Sequence, residues 1–145
     1  MKHWFTIIFL SLSGLLLMVI GASILIVPKA FYAMNGITLG NDPSMLSEIR
    51  APGGLFVVIS IFILLGVLRS RHRPLAMLLT LITFGSIGIS RLFSMVMDGM
   101  PVRGLVEATV IELVVAAIAL FCMKCSSSKY MERIPCASNP SHSTN

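Results

Sequence analysis

Charge is scarce in this chain of 145 residues: 12% are Asp, Glu, Lys or Arg, whereas 56% are apolar. That balance excludes an ordinary soluble domain, which needs far more polar surface. Histidine is missing where a buried cofactor would need it. His3, His72 and His142 all fall outside the long apolar runs, so a haem held by two intramembrane histidines is excluded. The chain also lacks an H-E-x-x-H motif, a phosphate-cradling glycine loop ahead of a helix, and a nucleophile beside a base. It is therefore expected not to be an enzyme and to carry no cofactor. The three cysteines are an odd number, which argues against a closed disulfide framework. Cys122 and Cys125 form a single C-x-x-C, with Cys136 and His142 further on. One such pair is a weak metal signal, and reduced thiols are the expected state.

What the chain has instead is four apolar runs, Trp4 to Val27, Ile49 to Leu68, Leu75 to Val96 and Leu105 to Met123. Each is long enough to cross a bilayer, which takes about 20 apolar residues. Asp42 is a good N-cap and Pro43 suits a first helical position, so the second helix is expected to begin there. The expectation is an all-α polytopic membrane protein. It has one antiparallel bundle of four transmembrane helices over residues 1–123, with spans at about 4–27, 43–68, 75–97 and 104–123, followed by a disordered cytoplasmic tail at 124–145. The first run continues through Ile24, Leu25, Ile26 and Val27, past the small residues Gly21, Ala22 and Ser23, and so reads as a retained helix rather than a cleaved signal. Trp4, Phe5, Phe31 and Tyr32 are expected as interfacial anchors.

Lys2, Arg69, Arg71, Arg73, Lys124, Lys129 and Arg133 all fall on one side of this arrangement, and only Lys29 and Arg103 occupy the loops of the other. Basic loops stay cytoplasmic, so both termini are expected inside a cytoplasmic membrane. The net charge of +5 then serves topology and contact with anionic headgroups, and no nucleic-acid partner is expected.

Ionisable residues near the outer side are the chemistry-bearing feature. Arg91 stands alone among apolar and small residues in the third run, where a central Arg costs about 2.5 to 3.5 kcal/mol. Eleven Leu, Ile, Phe or Val residues between Leu75 and Val96, at about 0.3 to 0.6 kcal/mol each, outweigh it. Insertion is affordable, yet the energy does not explain why Arg is there. Glu112 in the fourth run lies at nearly the same depth, and Glu48, Arg50 and Glu107 are shallower. A cluster of these five facing the bundle interior is expected, with Asp98 in the external turn Asp98-Gly99-Met100-Pro101 as a further candidate. Pro52 frees the carbonyl of Glu48 and a kink is expected there, while Gly53 and Gly54 permit close helix approach.

The run Glu48-Ile49-Arg50-Ala51 with Gly53-Gly54, then Ser90-Arg91 with Ser94, then Asp98-Gly99-Met100-Pro101 and Glu112, resembles the small bacterial membrane proteins grouped as domain of unknown function 4345. The likeness reaches to about Met123. It implies the four-helix fold and supports the choice of Glu48, Arg50, Arg91, Asp98 and Glu112 without implying an activity. Three functions stay open. The first is a structural or accessory membrane component, with the bilayer and a second copy or a membrane protein as partners. The second is a binder or carrier of a lipid, quinone or proton-coupled solute, which predicts a cavity beside Arg91 and Glu112. The third is an intramembrane enzyme using Glu112 as acid or base.

Overall fold

The computed structural model describes residues 2–131, with side chains for residues 4–124. It is all-helical: α1 (Lys2–Ile26), α2 (Pro28–Ala33), α3 (Pro43–Leu68), α4 (Arg73–Asp98) and α5 (Arg103–Met131), with a single 3-10 turn at Ser70–His72 before α4. Four helices are long and apolar enough to cross a membrane, Trp4–Ile26, Pro43–Leu68, Ser70–Asp98 and Arg103–Lys124, packed antiparallel. Each of the four expected runs falls on one of these helices. The fourth helix is longer than expected, and of the tail expected from Lys124, residues 132–145 lie outside the described residues.

Local signals set the helix limits. The Asp42 carboxylate accepts the backbone N–H of Met45 at 2.9 Å, and Pro43 occupies the first turn, so α3 starts where its cap dictates. The helix continues through Pro52 to Leu68. Pro28 likewise opens α2, and Gly99, at φ 95°, ends α4 in a conformation that side chains disfavour.

Packing divides the bundle into two hairpin-like pairs, α1 against α3 and α4 against α5, joined mainly through α3 and α4. Glycine permits the first pairing: a Cβ on Gly21 would lie 2.9 Å from the carbonyl oxygen of Gly53, so the two backbones touch. In the second pair, Gly88 lets Leu113 of α5 lie against the α4 backbone. Near the Arg69–Arg73 turn the pairs close on each other, because Gly66 accepts Ala76 directly against it. The core follows from this. Leu10, Leu17, Ile63, Phe84 and Ala119 are buried, and the buried hydroxyls of Thr80 and Thr109 donate to the carbonyls of Ala76 and Leu105, each at 2.8 Å. Large apolar side chains on every long helix, among them Leu12, Leu55, Ile82 and Ile111, are exposed, as bilayer contact requires.

Candidate functional site

At the end of the bundle opposite the Arg69–Arg73 turn, the two helix pairs enclose a cavity of about 490 Å³. All five helices contribute. Leu17, Ile20 and Ile24 of α1, Pro52 and Phe56 of α3, and Phe84 and Ile87 of α4 make its apolar wall. Phe31 and Tyr32 of α2, with Asn35 and Ile37 just beyond, form its cover, and Arg91, Leu105, Ala108 and Glu112 complete the lining. A mostly apolar hollow with a few convergent polar groups is the usual form of a small-molecule site, and such sites run from about 300 to 1,000 Å³.

Arg91 and Glu112 meet here, with Arg91 Nε 3.2 Å from Glu112 Oε2. The meeting follows from helix rise. Arg91 lies seven residues before the end of α4 and Glu112 nine after the start of α5, so each stands about 10 to 14 Å in from the same end. The approach falls short of hydrogen-bond geometry, leaving both atoms without a hydrogen-bond partner, and the contact is an ion pair. The pair is not sealed: 11% of the Glu112 side chain is exposed and 35% of the Arg91 side chain. Arg91 also borders a second, open groove of about 360 Å³ on the α4 surface, lined by Ser86, Ile87, Ser90 and Ser94.

The other charged candidates do not join them, so the expected cluster reduces to one pair. Glu48 and Arg50 are exposed at the start of α3, with no ion pair among the described residues. Glu107 pairs instead with Arg103 one turn earlier on its own helix, at 3.4 Å, and both side chains are largely exposed. Asp98 accepts a hydrogen bond from Ser94 Oγ at 3.0 Å at the exposed end of α4. The physical reason is rotation and depth: these groups sit near helix ends, where water or headgroups solvate them at less cost than interior pairing.

Phe31 and Tyr32, expected as interfacial anchors, are half-buried and also line the cavity, in edge-to-face contact with ring centroids 5.7 Å apart. Asn35, which sequence reasoning did not single out, donates from Nδ2 to the Phe31 carbonyl at 3.3 Å and so ties the cover together. The signal available for it was the Pro28 helix start inside a connection far longer than a tight turn.

Among the described residues, no group of three or more His, Cys, Asp or Glu could hold a metal ion. Cys122 is half-buried in α5, while the side chain of Cys125, together with Cys136 and His142, lies outside the described residues.

No curated protein and no solved structure matches the chain. Residues 5–123 match the family model described as Domain of unknown function (DUF4345), and the chain therefore belongs to that family.

Proposed function

We propose that this protein is a non-enzymatic component of a cytoplasmic membrane that holds a small amphiphile in the cavity beside Arg91 and Glu112. The supporting observation is that the two intramembrane charges form part of the wall of a cavity of about 490 Å³, rather than being packed over on every side. A pair serving only to fix helix rotation has no need of an adjacent hollow, and intramembrane ionisable groups commonly mark binding sites or pathways. The basic residues Arg69, Arg71 and Arg73 stand at the opposite end of the bundle, so by the positive-inside rule the cavity lies in the outer half of the membrane. The apolar wall holds the tail, and the charged pair with Asn35 and Tyr32 orients the head.

A structural lock between α4 and α5 is the second reading, favoured by the 3.2 Å approach of Arg91 and Glu112. The two readings separate in Arg91→Gln, Glu112→Gln and the double variant. Membrane abundance and thermal stability in mild detergent are measured together with the amphiphile that co-purifies, quantified by native mass spectrometry. The binding reading expects the double variant to be folded and depleted of bound amphiphile. If each single change is badly destabilising, and the double variant regains stability with its bound amphiphile unchanged, the pair is a lock and the binding role is wrong.

A further inference from the structure

We infer that the occupant of this cavity is an uncharged amphiphile with a carbonyl-bearing head, which reaches it sideways from the bilayer past Ile87 and Arg91. This rests on the binding reading above and adds a route and a chemical class. Ile87 and Arg91 are the two residues that line both the interior cavity and the open groove on the α4 surface, so they form the partition between lipid and cavity. Arg91 is able to serve both spaces, since its side chain is 35% exposed while its Nε is buried against Glu112.

The groove leading to this partition is mostly apolar but carries a row of hydroxyls. Ser86, Ser90 and Ser94 repeat every four residues on one exposed face of α4, flanked by exposed Ile82, Ile89, Leu92 and Phe93. Ser94 is engaged by Asp98 at the rim and Ser86 by the carbonyl of Thr83, whereas Ser90 makes no side-chain hydrogen bond among the described residues. The row spans about 12 Å along the helix, so a polar head descending from the interface meets hydroxyls over that depth. From the aqueous end, by contrast, Phe31, Tyr32 and Asn35 cover the cavity, and a Cβ at Gly36 would lie 3.8 Å from Val102 at the edge of α5.

Charge selects the head. Glu112 already offsets Arg91, so a bound anion would leave a net negative charge in a low-dielectric site, whereas a carbonyl oxygen accepts from the outer arms of the guanidinium without adding charge.

The test uses the full chain in lipid nanodiscs and two photoreactive probes of equal tail length, a decyl-substituted benzoquinone and a fatty acid. Labelling sites and labelling kinetics are read by mass spectrometry in the parent protein, Ser90→Trp, Ser94→Trp and the control Phe93→Trp. The quinone probe is expected to label cavity residues more strongly than the fatty acid. Each serine variant is expected to slow labelling about tenfold with final occupancy retained, because a blocked route changes rates and not equilibrium. Unchanged rates in both serine variants, or stronger labelling by the fatty acid, would overturn this inference and leave the binding site standing. Failure of both probes to label the parent cavity would overturn the binding reading with it.

Discussion

The two ends of the bundle are built on opposite terms. Around the Arg69–Arg73 turn, Gly66 presses on Ala76, Ile63 and Met77 are buried, and Thr80 bonds back to its own helix, so the helices meet closely on small and apolar side chains. At the other end the same helices leave a cavity, which is closed by a short helix and bordered by a charged pair short of hydrogen-bond geometry. Small side chains and self-satisfied hydroxyls make a membrane bundle close. Where bulky aromatics and charges replace them, the helix pairs stand apart. On the proposed reading, the tight end is the scaffold and the open end holds the ligand.

Changes along the α1–α3 seam that supports both ends should have the largest effect. Gly21→Leu would drive a side chain into the backbone of Gly53 and is expected to abolish accumulation of folded protein, as assayed by membrane abundance and size-exclusion behaviour in detergent. At the open end, Glu112→Gln deprives Arg91 of its counter-charge. With Arg91 partly exposed, the loss should fall between the exposed and buried limits, at about 1 to 3 kcal/mol, visible as a lowered Tm. Asp42→Ala removes the cap of α3 and should cost about 1 kcal/mol in the same melting assay. Least affected should be Glu107→Gln, which breaks an exposed pair within one helix worth about 0.3 to 0.5 kcal/mol. A loss from Glu107→Gln as large as that from Glu112→Gln would erase the contrast between rim and interior charges.

Much of this architecture is legible in the residues, and what is not has a common cause. Apolar run length gives the four helices, and Asp42-Pro43 gives the start of α3. Counting rise per residue places Arg91 beside Glu112, because depth along a helix accumulates predictably. Rotation about the axis does not, until the packing partner is known. The buried face of α3 is set by Gly53, Ser60, Ile63 and Gly66, and Arg50, three residues before Gly53, stands about 60° round from Gly53 on the side away from the other three. Arg50 is therefore exposed by rotation, whereas Glu48, on the same line as Gly66, is exposed near the start of the helix. That Phe31 and Tyr32 line a cavity was hidden for a related reason, since the fold of their connection is not written in its apolar pattern.

The most direct test of the binding site is to fill it. Ala108 lines the cavity and is half-buried, so Ala108→Phe places a ring into the hollow while leaving Arg91 and Glu112 in place. Native mass spectrometry of parent and variant, extracted side by side in mild detergent, should find a bound amphiphile on the parent and none on an equally stable Ala108→Phe. The same bound mass on both proteins, or an unoccupied parent, would contradict the assignment of this cavity as a ligand site.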